Sequence, residues 1–166
     1  MPVHTAYITD VATGRPLRAE ATIAVVGAAA GGTAASVSDH LVRGHMGNAH
    51  PYHHERGHLI GRQLGGDGGN AANLVGLSDG TNAPLMADIE SLCSEMIRAQ
   101  RGATVFLQVD VDWSGAYYNG PHAAPWVAGM VGRIIVRIFA SAGGSLLLEQ
   151  GYPNGVVKDH RALGCC

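Results

Sequence analysis

Residues 53–82 read HHERGHLIGRQLGGDGGNAANLVGLSDGTN, and nearly every side chain able to do acid–base or metal chemistry lies in this stretch or beside it. It runs Glu55-Arg56-Gly57-His58, an apolar pair, a glycine-rich loop, the triplet Asn73-Leu74-Val75, and then Asn82 at the start of a helical pattern. Two chemistries compete for it. In one, His54-Glu55-Arg56-Gly57-His58 is the HExxH zinc pattern, in which a helix sets two His on one face and the Glu activates a metal-bound water. In the other, one His is a general base and an Asn further along holds the cation.

The zinc reading gains from Gly61, which falls where the longer HExxHxxGxxH pattern has its glycine, and fails at Leu64, where that pattern has its third ligand. Leu cannot bind a metal. Gly57 and Gly61 would also sit inside the helix, each at a cost of about 1 kcal/mol relative to Ala, and Gly65-Gly66 would end it at once.

The alternative match runs further. Glu55-Arg56-Gly57-His58-Leu59-Ile60-Gly61, Gly65-Gly66, Asn73-Leu74-Val75, Asn82 and Glu90 together resemble the DNA/RNA non-specific endonucleases of the ββα-metal (His-Me finger) group, especially the forms carried as toxin domains by secreted bacterial effectors. That family writes its motif Asp-Arg-Gly-His, so Glu55 is a conservative departure. The resemblance is carried by residues 55–90.

It implies an α+β fold. A ββα-metal core, with a strand bearing His58, a Gly-rich loop and a helix bearing Asn82, would be embedded in a mainly antiparallel sheet. It further implies metal-dependent hydrolysis of phosphodiester bonds in DNA, RNA or both with little sequence preference, Mg²⁺ as cofactor with Mn²⁺ as a substitute, and a cognate immunity protein. Such a domain would be secreted or delivered by a bacterial secretion system and act in the target cytoplasm. The rival classes are a zinc metalloprotease through His54 and His58, and a non-catalytic binding module on the same fold; intact His58 and Asn82 argue against the latter.

Roles follow from chemistry and position. His58 would take the proton of the attacking water, for which an ordinary pKa of about 6.5 suits it. Asn82 would hold one hard cation through its amide oxygen. Arg56, two residues before His58, would share its side of an extended strand and brace the phosphate as part of the catalytic set. Glu55 points the other way and anchors the strand or an outer water. Glu90, eight residues after Asn82, looks to the same side of the helix, within range of the cation's water shell, and is counted among both catalytic and metal residues. Asn73 is assigned a structural turn.

With 166 residues the chain suits one domain, residues 1–166, with the core motif at about 53–101. Its 24 Gly and 14% charged residues indicate many loops and turns. A formal net charge of −2 argues against a protein that coats nucleic acid through a basic surface, but not against an enzyme that needs charge only at one cleft. Cys93, Cys165 and Cys166 form neither a disulfide framework nor a CxxC site; Cys93 reads as a small core residue. No run approaches the roughly 20 apolar residues of a membrane span. No basic-then-apolar leader opens the sequence; if the protein is exported, the address lies elsewhere, as on a longer parent chain.

Beyond the central stretch, residues 3–9 and 21–26 read as a strand hairpin around Thr13-Gly14-Arg15-Pro16, and 27–35 as a loop. Six His fall between positions 40 and 58, of which His50, His53 and His54 offer an irregularly spaced zinc alternative. Leu85, Ile89, Leu92, Met96 and Ile97 predict a helix over 82–101, capped by Thr81 and ended by Gly102. Strands are expected at 104–111, 129–139 and 145–148. Arg133 and Arg137 share one strand face, open to either phosphates or plain solvation, and the tail beyond Gly151 is expected to pack loosely.

Overall fold

Period-2 alternation builds the larger of two sheets. In chain order the elements of the described residues are β1 (His4–Thr9), β2 (Pro16–Ile23), β3 (His54–His58), β4 (Leu74–Ser78), α1 (Asp79–Ala99), β5 (Val105–Asp112), β6 (Arg133–Phe139) and β7 (Leu146–Pro153), with a 3-10 turn at Ala71–Asn73. The computed structural model describes residues 4–24, 54–120, 126 and 128–158; the expected loop at 27–35, the His cluster at 40–53 and Cys165-Cys166 lie outside them. The strands form an antiparallel five-stranded sheet of order β1-β2-β5-β6-β7 and a separate antiparallel pair, β3-β4.

One face of the large sheet is apolar: Ala19, Ala21 and Ile23 of β2, Val105, Leu107 and Val109 of β5, and Ile134, Val136 and Ile138 of β6 are buried. The β3-β4-α1 unit packs on this face through Val75, Leu77, Leu85, Ile89 and Cys93, so one hydrophobic cluster joins the two parts. This is an α+β fold with a ββα unit seated on a mainly antiparallel sheet. Among the described residues, no helix is long and apolar enough to cross a membrane.

The other face of the sheet carries charge. Arg18 pairs with Asp110 at 2.5 Å, Arg137 joins Asp110 to Glu149, and Arg133 holds Asp112 at 3.1 Å while its guanidinium lies over the Tyr117 ring. Arg133 and Arg137 therefore belong to a solvated ion-pair ladder on the side away from α1. Solvent screens such partly exposed pairs, and each is worth on the order of 1 kcal/mol or less.

Several boundaries move. Helix α1 starts at Asp79, a turn before the expected position, with Ser78 as N-cap and Pro84 inside it. Pro84 lacks an N–H and suits a first turn, but the start is fixed earlier by contacts of Ser78, Asp79 and Thr81 with the C-terminal segment. The C-terminus ends as expected at Gly102, whose N–H donates to Ile97 O at 2.8 Å in a left-handed turn. β2 starts at Pro16, and β6 starts at Arg133 rather than 129. Before it, Gly132 abuts the Ser114 carbonyl so closely that a methyl there would come within 1.6 Å. β7 continues to Pro153 as an edge strand whose burial does not alternate, which explains its faint pattern.

The tail as far as Lys158, where the described residues end, is not loose. Asn154 is completely buried; its Oδ1 accepts from Ser78 N at 2.9 Å, and its Nδ2 donates to Val131 O at 3.0 Å. Thr81 Oγ1 donates to Pro153 O at 2.9 Å, and Lys158 N donates to Asp79 Oδ1 at 3.1 Å. Thr81 is thus a tether to the C-terminal segment and not the cap.

Candidate active site

The hairpin that carries His58 is closed by Asn73. Between β3 and β4 the chain makes an excursion over residues 59–73, and Asn73, fully buried, clasps its two ends. Its backbone O accepts from Leu59 N at 2.9 Å, its Oδ1 accepts from Ile60 N at 2.8 Å, and its Nδ2 donates to Ile60 O and Asp67 O, each at 3.0 Å. Both amide protons and Oδ1 are engaged inside the fold, which gives Asn73 a structural role. Leu59, Ile60 and Leu64 anchor the excursion in the core. Gly66 passes so close to the Ile60 carbonyl that a methyl would meet it at 1.9 Å.

Asn82 sits one turn into α1, on the face turned to β3. Its Nδ2 donates to Glu55 Oε2 at 2.8 Å. A carboxylate only accepts, so the NH₂ must face Glu55 and Oδ1 must face away. That Oδ1 is buried without a hydrogen-bond partner in the protein. An unsatisfied buried acceptor costs about 1–3 kcal/mol, and an amide oxygen is the type of donor that hard divalent cations take. Gly57 makes the approach feasible, since a methyl there would stand 2.5 Å from Leu77 Cδ1 and 3.0 Å from Asn82 Oδ1.

His58 ends β3 one residue later. It is about half-buried, and burial, followed by the nearby positive charge of Arg62, lowers its pKa below the ordinary value of 6.5. The imidazole is therefore neutral near pH 7, the form a general base requires. Its Nε2 faces the excursion, where a methyl built on Gly68 would lie 3.5 Å from Nε2 and 3.7 Å from Arg62 Cδ. Strand alternation puts Arg56 on the His58 side and Glu55 with Gly57 on the helix side; both Glu55 and Arg56 are exposed.

Glu90 is partly buried, and a methyl at Gly61 would meet its Oε1 at 3.3 Å. Burial raises its carboxyl pKa, and burial, followed by the Glu90 charge, pushes the Cys93 thiol up to about 12. Eight helical residues rise about 12 Å, so Glu90 would reach a cation at Asn82 only through water. The structure brings Asn82 together with Glu55 and Gly57, Glu90 with Gly61, and His58 with Gly68 and Arg62.

The zinc-protease alternative fails on local structure. His54–His58 is a strand, so the two His backbones stand about 13 Å apart rather than one helical turn. Among the described residues, no group of three or more His, Cys, Asp and Glu is placed to hold a metal.

Three features were not read from the sequence: the Glu55–Asn82 contact, Arg62 beside His58, and the hold of Asn154 on the start of α1. The first and third join residues 27 and 76 positions apart with no periodic relation. Arg62 lies four residues after His58, and its signal was a basic residue in a loop otherwise read for its glycines.

A family model described as DNA/RNA non-specific endonuclease matches residues 3–123, a span that contains the whole ββα unit and ends between β5 and β6. No curated protein matches the chain.

Proposed function

The chain belongs to the DNA/RNA non-specific endonuclease family, and from that premise we propose that it is a divalent-cation-dependent endonuclease. It hydrolyses phosphodiester bonds of DNA, RNA or both with little sequence preference, and Mg²⁺ serves as cation with Mn²⁺ as a substitute. The observation that carries the metal site is the buried, unpartnered Oδ1 of Asn82, aimed away from Glu55 by the bond at 2.8 Å.

Asn82 would hold the cation directly, and Glu90 would contribute through water. When bound, the cation supplies positive charge to the phosphoryl oxygens and the departing oxygen. The remaining work falls to the chain. Neutral His58 removes a proton from the attacking water at its imidazole, aided by burial that keeps it unprotonated. Arg56, on the same side of β3, braces the phosphate with its guanidinium. Glu55 holds the Asn82 amide in one orientation, and the Asn73 clasp holds His58 at the end of its strand.

Incubation of plasmid and total RNA with Mg²⁺, with and without chelator and beside a His58→Ala variant, tests this reading. Cation-dependent degradation lost in the variant supports it; intact nucleic acid in every lane overturns it and favours a binding module.

The same reading extends to biology. The protein acts as the toxin domain of a secreted bacterial effector, delivered into a target cytoplasm, with an immunity protein guarding the producer. The likeness of its motif to effector domains supports this, as does the need to protect the producer's own genome from an enzyme of low sequence preference. Growth of bacteria expressing the parent, His58→Ala or an empty vector tests it. Equal growth at equal soluble expression counts against the toxin role and leaves the chemistry open.

A further inference from the structure

The excursion carries a cation beside His58 that none of the steps above uses. Arg62 occupies a turn pinned by Leu64 N to Gly61 O, Gly65 N to Arg62 O and Gly66 N to Gly61 O, each at 3.0 Å, so its backbone is fixed while its side chain is exposed at the surface of the excursion. The stem of that side chain lies over Gly68, the same glycine that His58 Nε2 faces, which puts Nε2 and Arg62 Cδ within about 7 Å of each other. At any separation up to this limit one phosphate group can be reached from both sides, by Nε2 directly and by the guanidinium at the end of the arginine stem. Gly68 leaves the floor between them without a side chain. Arg18, Arg133 and Arg137 are engaged with carboxylates on the far face of the sheet, so their charge is not at the hairpin.

We propose that Arg62 is a substrate-contacting residue, its guanidinium gripping non-bridging oxygens of the nucleic-acid phosphate that His58 faces. The inference deepens the nuclease reading and rests on it. A planar guanidinium suits the task because it can give two parallel hydrogen bonds to one phosphate, which a lysine ammonium cannot. Burial first, and the Arg62 charge second, lower the proton affinity of His58, which accords with the two groups lying near one another at Gly68.

Two measurements test it, one with turnover and one without. In cleavage assays, Arg62→Gln should raise KM about tenfold and lower kcat less, with Arg62→Lys recovering part of the loss, as expected when a contact to bound substrate is removed. In binding assays, a fluorescent oligonucleotide is titrated in Ca²⁺ against His58→Ala and against His58→Ala/Arg62→Gln over a range of salt. The double variant should bind about tenfold more weakly, and its salt slope should be smaller by about one. A role in shaping the loop alone would not change that slope. If folded Arg62→Gln variants keep the parent KM and the parent salt slope, the assignment is wrong. An inactive parent whose binding still depends on Arg62 in this way would overturn the nuclease reading and keep the contact; an active parent indifferent to Arg62 would do the reverse.

Discussion

Asn82 gives its Nδ2 to the Glu55 carboxylate at 2.8 Å and keeps its Oδ1 buried and unpartnered. The pair works as an orienting device. With Glu55 in place the amide has one sensible orientation, and the oxygen that could bind a hard cation is presented without rearrangement. In metal sites, outer partners of this kind typically account for 10- to 100-fold in affinity or activity. Glu55→Ala should accordingly raise the Mg²⁺ concentration for half-maximal activity by about tenfold or more. Substrate binding in chelator should change little. Overlaying metal titrations for variant and parent would show that the contact does not serve the cation.

Asn82→Ala removes the oxygen itself and should weaken metal dependence more than nucleic-acid binding. Cation affinity, read directly by Mn²⁺ binding, should fall further than in Glu55→Ala, because an outer partner is lost in one case and a ligand in the other. Unchanged Mn²⁺ binding would move the cation elsewhere. Asn73 is then a poor substitute, since it is fully buried and its amide nitrogen and oxygen are engaged with Ile60 and Asp67.

The base leaves a mark on pH dependence. His58→Ala should lower the rate of a folded enzyme by about 10²- to 10⁴-fold. In the parent, the acid limb of kcat/KM reports the free-enzyme base, and burial with the Arg62 charge places the His58 pKa below 6.5, so activity should persist to lower pH than for an ordinary His. The stability consequence has the same origin. As pH falls through 6.5 the unfolded chain takes up this proton first, so the contribution of His58 to stability declines toward its lower folded pKa. Arg62→Gln should shift the acid limb upward; a limb already above 6.5 in the parent would show that burial does not govern this imidazole.

What could be read from the chain was local. The run 55–61, the glycines and the Leu85–Ile89 spacing placed a His-bearing segment, a loop and a helix in the right order, because short motifs and helical periods are properties of neighbours in sequence. β4 escaped notice as a strand because it is buried at every position and so shows no alternation. The start of α1 was misplaced for a related reason. It is set by Asn154, 76 residues beyond Ser78, and no local pattern reports a contact over that distance. The two readings of Arg133 and Arg137 separated only when Asp110, Asp112 and Glu149 were seen to lie beside them.

Asn154 yields the last prediction, one about stability with a functional consequence. It lies beyond residue 123, where the family match ends, yet its side chain ties β4 and the first residue before α1 to Val131, and its backbone N–H donates to Gly132 O at 2.9 Å. Asn154→Ala leaves Ser78 N and Val131 O without these partners in a dry interior, at about 1–3 kcal/mol for each buried group left unpaired. The denaturation midpoint should fall by an amount equivalent to at least about 2 kcal/mol. Because Ser78 stands four residues before Asn82, loosening the start of α1 also loosens the amide that faces Glu55. Cation affinity at a temperature where the variant is still folded should drop as well. A core truncation of similar cost in the large sheet, Ile138→Val or Ile138→Ala on β6, should lower the midpoint and leave cation affinity intact. Equal Mn²⁺ binding by Asn154→Ala and the Ile138 control would confine Asn154 to holding the fold together, whereas a selective loss would place it in the chain of contacts that presents Asn82.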